Sequence, residues 1–293
     1  MGVSSTLRQK WNEAGENVPV IHILPRGYTC PNASPFPLKL ETYLRMKDIK
    51  YEVDTEHPMG PKSKVPWMTL NGKDIADSQM ALEALMKARN EEIDGHLTPQ
   101  EKAIARAFLV LNEDHLYWVM ASDRFQPENM KFMSTFSPPM PGVPGFLQGA
   151  MTKFIQRGIK KQTYNHGIGR HSWEEMKQLG LDDLQALSDQ LGNKPFFMGM
   201  EPSLLDASIF GMLCQILYCT KEDNFMRMKI KEELVNLEGL VERIKEKYWS
   251  DWDETLGTVE KVKASEPEKE SKSKQKESAP KEEAEEVSAT NEK

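Results

Sequence analysis

Cysteine is scarce in this sequence, with Cys30, Cys214 and Cys219 the only three in 293 residues. The number is odd and no zinc-like spacing links them, so neither a disulfide framework nor a cysteine-held metal is expected, and a reducing, cytoplasmic compartment fits. Long apolar runs are missing too. None approaches the roughly 20 residues that cross a bilayer, and the longest, around Ile209–Tyr218, is interrupted by Gln215 and reads as a buried helix. Met1–Lys10 lacks the apolar core of a secretory signal. No surplus of positive charge exists, since 38 Lys and Arg stand against 45 Asp and Glu for a net charge of -7. A general nucleic-acid binder needs that surplus to neutralise phosphates, so no nucleic-acid partner is expected.

What is present is a globular composition, 39% hydrophobic and 28% charged, with room for some disordered sequence. Residues 1–18 are polar and read as a partly ordered lead-in. The opening Met-Gly-Val-Ser-Ser-Thr fits an acylation pattern at Gly2, and one acyl chain would give at most peripheral membrane anchoring. From Ala264 the composition turns to Glu, Lys, Ser, Ala and Pro without aromatics. Such a segment cannot bury enough apolar surface to offset its chain entropy, so 258–293 is expected to be a disordered charged tail.

Between these ends the patterning changes once. Val20–Leu24 is a short apolar strand, a Pro-, Ser- and Asn-rich loop follows, and a helix opens near Pro37 with Leu40, Tyr43, Leu44 and Lys47 at helical spacing. Ile49–Val53 alternates as a second strand. Pro66–Leu70 and Lys73–Ala76 flank Asn71-Gly72, a strong hairpin signal, and a helix follows at Gln79–Arg89. Strand–helix–strand, hairpin, helix is the thioredoxin arrangement, assigned to 19–94. Beyond Gly95 only helices are expected, making 95–257 an all-helical domain. Capping boxes open at Thr98–Glu101 and Ser172–Glu175. The first helix runs to about Phe125, another passes through Phe154 and Ile159, and the second box starts a helix to Leu191. Ser203–Asp206 opens the buried helix Leu204–Tyr218, and Lys229–Tyr248 is the last.

Chemistry is sought where the first strand meets a helix N-terminus, since free amides and the helix dipole favour an anion or a thiolate there. Cys30, Asn32 and Ser34 occupy that turn, with Tyr28 further upstream. Ala33 stands where a Cys-x-x-Cys pair would need its second thiol, so thiol–disulfide exchange is not expected. The Ser34 hydroxyl serves either as a simple helix cap or as a donor to a bound thiolate. Val65-Pro66 heads a strand, where proline is confined to special positions; a cis bond there would aim the Val65 backbone at an extended ligand. Asp77-Ser78 either cap their own helix or grip the charged end of a peptide-like ligand. His166 and His171 lack a third ligand nearby, so no metal is expected.

Taken together, Ser34 before a helix, Val65-Pro66 before a strand and Asp77-Ser78 before the next helix resemble the glutathione site of cytosolic glutathione transferases. CPNASPFPLKLETYLR from Cys30, Lys64–Trp67, Ile75–Ser78, Gly167–Ser172 and Pro195–Gly199 are similar to the failed axon connections family, a metaxin-related branch of that superfamily. The resemblance implies the two-domain transferase fold and glutathione as ligand. By it, Ser34 is the catalytic candidate, with Tyr28 and Cys30 behind it; Val65 and Pro66 anchor the ligand backbone; Asp77 and Ser78 hold the γ-glutamyl end. It further implies a scaffold in axon development and neuronal signalling, with signalling or cytoskeletal proteins as partners. A working transferase and a metaxin-like import component are the alternatives, and monomer or homodimer stays open. Some relatives carry a cysteine where this chain has Pro37, so thiol-transferase chemistry is not implied.

Overall fold

A computed structural model describes residues 4–139 and 141–258. The acylation expected at Gly2 and the tail expected beyond Thr258 lie outside the described residues. The chain begins with a helix, α1 (Ser5–Asn12), then β1 (Val20–His22), α2 (Pro35–Met46), β2 (Glu52–Asp54), β3 (Trp67–Leu70), β4 (Lys73–Ala76) and α3 (Ser78–Ala88). The sheet order is β2-β1-β3-β4, with β1 and β2 parallel and the other two pairings antiparallel. Asn71 and Gly72 both take positive φ between β3 and β4, which is what a tight two-residue hairpin demands. Residues 4–18 gain more order than their polarity implies. Trp11 of α1 is buried edge-on against His22 and Trp67, and Arg8 clamps Asp74 through two hydrogen bonds of 2.5 and 2.8 Å.

All described helices after α3 lie in the second half of the fold. α4 (Pro99–Val110) continues through a π-helical turn, Leu111–Leu116, into α5 (Tyr117–Arg124). Short α6 (Pro127–Met130) and α7 (Met133–Phe136) precede the long α8 (Gly145–His166), then α9 (Trp173–Leu191), α10 (Leu204–Tyr218), α11 (Phe225–Glu232), α12 (Val235–Tyr248) and α13 (Trp252–Thr255). The single last helix expected over Lys229–Tyr248 is therefore two. Leu234 adopts a non-helical backbone, and the Lys229 carbonyl closes the earlier helix by accepting from both Glu233 and Leu234 N–H.

α2 is the hinge of the architecture, and it is not amphipathic. Pro35 and every residue from Pro37 to Leu44 are buried, including Lys39 and Glu41. One side packs Leu40, Tyr43 and Leu44 into the sheet core with Ile21, Met68 and Leu82, while Leu38 joins the larger helical core. α10 lies against α2 so closely that a Cβ on Gly211 would come 2.5 Å from the Pro35 carbonyl. Every residue of α10 but Tyr218 is buried, which is why its sequence is apolar all round. Leu204 and Ala207 of this helix complete the core under the sheet, so the two halves share apolar contacts.

Candidate functional site

The loop from Leu24 to Ser34 is held by a buried asparagine. Asn32 donates from Nδ2 to the Leu24 carbonyl at 3.0 Å and accepts the Ser34 N–H on Oδ1 at 3.1 Å. Its own carbonyl accepts from Gln215 Nε2 of α10 at 3.0 Å. Arg124, at the end of α5, donates to the Ala33 carbonyl at 2.9 Å and to Gln215 Oε1 at 3.2 Å. These bonds fix Ser34 as the N-cap of α2 in extended backbone, yet its side chain makes no capping hydrogen bond. A half-buried hydroxyl thus stands at a helix N-terminus with its donor unspent.

The Val65-Pro66 bond is cis. Val65 is half-buried, and among the described residues neither its N–H nor its C=O meets a protein partner. Those are the two groups an extended peptide pairs with when it lies along a strand edge. The Pro66 carbonyl accepts the Asp77 N–H at 3.4 Å, which ties this segment to the start of α3. Asp77 is exposed, sits at φ 83°, and spends Oδ1 on the Gln79 and Met80 amides as the α3 cap. Ser78 beside it is buried. Of the two roles weighed for Asp77, capping is the one its hydrogen bonds display.

Cys30 sits in the same loop but faces inward. It is fully buried in the same apolar core as Cys214 and Cys219, and burial pushes its thiol well above the usual range. A neutral thiol sealed in a core is no nucleophile at neutral pH. All three cysteines of the chain thus meet between the loop and α10, a convergence that their spacing along the sequence conceals. Tyr28 is half-buried, and its N–H is tied to the Phe136 carbonyl at 2.9 Å.

Beneath the site lies a polar chain that sequence reasoning missed. Lys39 is 1% exposed, pairs with Glu113 at 2.7 Å and donates to Gln79 Oε1 at 2.9 Å, linking α2 to α3 one residue past Ser78. Glu113 in turn accepts from Ser208 of α10 at 2.5 Å. The π turn carries Glu113 into this position, and such turns recur where a helix must re-aim side chains. The signal was a lysine one turn before Tyr43 on α2.

Two cavities open on the surface, the first within the helical domain and the second between the two domains. One of about 250 Å³ is bordered by Asp123, Arg124, Phe136, Trp173, Cys219 and Asn224. Burial pushes the Asp123 carboxyl up to about 6, against the lowering effect of the Asn224 hydrogen bond at 2.7 Å. The other, about 620 Å³, is lined by charge, with Arg26, Glu41, Arg45, Tyr51 and Asp251 on its walls. Arg26 grips the buried Glu41 with two bonds of 2.7 and 2.9 Å. Neither is lined by Ser34, Val65 or Ser78.

A thioredoxin-like sheet unit docked on a helical domain through α2 and α10 is the glutathione-transferase class of fold. The sequence matches the Glutathione S-transferase N-terminal domain over residues 35–130 and the Glutathione S-transferase, C-terminal domain over 180–244. It is 36% identical over 238 residues to Failed axon connections of Drosophila melanogaster, which covers 76% of this chain and 56% of that protein. It is 28% identical over 233 residues to the isoprene-epoxide–glutathione S-transferase of Rhodococcus sp. (strain AD45), covering 74% of this chain and 94% of that one. Metaxin-2 of Mus musculus matches at 24% identity over 73% of this chain and 82% of its own length. A glutathione S-transferase of Ceriporiopsis subvermispora, solved in complex with glutathione, superposes with a TM-score of 0.53 at 15% identity, covering 78% of this chain and 98% of that one. The chain belongs to the failed axon connections family of the glutathione S-transferase superfamily. It spans little more than half the length of its Drosophila relative.

Proposed function

We propose that this protein binds glutathione across the N-termini of α2 and α3 and acts chiefly as a scaffold of the failed axon connections type, in axon development and neuronal signalling. The observation that carries the ligand assignment is the pair of unpartnered main-chain groups on Val65, between a helix start with a free Ser34 hydroxyl and one bearing Ser78. An extended peptide thiol would pair its backbone with Val65. Its carboxylate end would approach the α3 N-terminus and its sulfur the α2 N-terminus, each favoured by the helix dipole. The scaffold part rests on the identity to Failed axon connections. Asp77 is already engaged with the α3 amides, so ligand grip falls mainly to Val65 and Ser78, and turnover is expected to be weak.

A working transferase is the second reading. It draws on the relative from Rhodococcus, matched over 94% of that protein's length, and on the Ser34 hydroxyl. Retention on glutathione-agarose with elution by free glutathione, followed by a conjugation assay with a general electrophile, separates the two. Binding without conjugation supports the scaffold, and binding with conjugation supports the enzyme. Absence of binding would sink both ligand assignments.

A further inference from the structure

The strongest feature outside the site is α8. This helix is 22 residues long, yet Thr163 is its only buried residue. Its outward stripe runs Phe146, Ala150, Phe154, Arg157 and Lys161, spaced by four, four, three and four residues, which holds one face of an α-helix. Phe146 is 84% exposed, Phe154 72% and Tyr164 57%. Lys153, Arg157, Lys160 and Lys161 share that side, and none of them joins an ion pair among the described residues. Some basic residues elsewhere are paired, as Lys177 with Glu174 and Lys229 with Glu233. No Asp or Glu occurs between Glu128 and Glu174, while Lys131, Lys153, Arg157, Lys160, Lys161 and Arg170 do, in a chain whose net charge is -7.

We propose that the exposed face of α8 docks on an anionic lipid surface. Apolar side chains interleaved with unpaired cations on a helix that lies along the protein surface are the signature of interfacial binding. The phenylalanines would enter the acyl boundary, and the lysines and arginine would meet lipid phosphates and carboxylates. A bilayer yields to protruding rings, whereas a rigid protein partner must supply a matching hollow for each. A second copy set face to face would oppose the same four cations to themselves. Nucleic acid offers the charge but no apolar layer for Phe146 and Phe154.

The test uses the full chain made without acylation, so that Gly2 contributes nothing, in sedimentation with phosphatidylcholine vesicles containing or lacking phosphatidylserine. The wild type should pellet with the anionic vesicles alone and be released by high salt. Two variants should each weaken partitioning by about tenfold or more: Lys160→Glu with Lys161→Glu, and Phe146→Ser with Phe154→Ser. All four positions are on the exposed side, so both should melt with the wild type. A wild type that stays in the supernatant overturns the proposal, as does binding that neither variant weakens. A dimer in solution that the phenylalanine variant splits would assign the face to a second copy instead.

Discussion

Gln215 of α10 donates through Nε2 to the Asn32 carbonyl at 3.0 Å while its Oε1 accepts from Arg124 at 3.2 Å. One amide on the central helix of one domain thereby fixes the turn that presents Ser34 in the other. Gln215→Leu keeps the volume but leaves the buried Asn32 carbonyl unpaired and removes one acceptor of Arg124, which keeps the Ala33 carbonyl. The loss should be about 2–3 kcal/mol in urea unfolding, and glutathione, if it is the ligand, should bind more weakly as Ser34 loosens. Unchanged stability would mean that water replaces the amide.

Ser34→Ala separates binding from chemistry. The hydroxyl has no structural hydrogen bond to lose at the α2 cap, so the melting temperature should hold within a degree or so. Retention on glutathione-agarose should also hold, through Val65 and Ser78. Any conjugation the wild type shows should fall by roughly a hundredfold, the usual effect of removing one donor to a developing anion. Undiminished conjugation would turn attention to Tyr28, since Cys30 is sealed.

Asp206 matters more than its partner in the α10 capping box. It accepts the Ser203 N–H at 2.8 Å, the Ser203 hydroxyl at 2.7 Å and the Phe197 N–H at 2.7 Å, all buried. Asp206→Ala strands these donors and should cost about 3 kcal/mol or more, whereas Ser203→Ala should cost about 1 kcal/mol. The Leu204 N–H goes to Asp94 at 3.0 Å, a cap delivered from 110 residues away. Equal effects of the two substitutions in urea would refute this ranking.

Asp123 gives the fold a pH dependence of definite sign. Its carboxyl is raised from 3.8 to about 6 by burial. Between those values the folded chain keeps a proton that the unfolded chain releases, so the stability from this group is present below 3.8 and lost as pH rises through 6. Asp123→Asn, which cannot titrate, should erase that slope. Urea melts across that range decide it: parallel curves for the two proteins would mean Asp123 titrates normally.

The sequence made the local elements legible because their signals are local. Asn71-Gly72, the Thr98–Glu101 and Ser172–Glu175 boxes and the apolar run of α10 each act within a few residues. The burial of α2 on two sides was hidden, since Lys39 and Glu41 look like solvent-facing positions until Glu113 and Arg26 arrive from other elements. The break at Leu234 was hidden for a different reason: Ile230, Leu234, Leu237 and Val241 keep helical spacing straight across it, and all are buried. Ser34, Val65, Asp77 and Ser78 could be named from motif order, but only the structure shows which of their polar groups are already taken.

The meeting of Cys30, Cys214 and Cys219 gives the protein an internal reporter of its own architecture. Thr29 beside them donates to the Tyr218 carbonyl at 2.7 Å, so a reagent reaches Cys30 and Cys214, which unlike Cys219 border neither cavity, only when the β1–α2 turn lifts from α10. Their alkylation rate therefore times the parting of the two domains, an event distinct from melting of either one and readable in unmodified protein by mass alone.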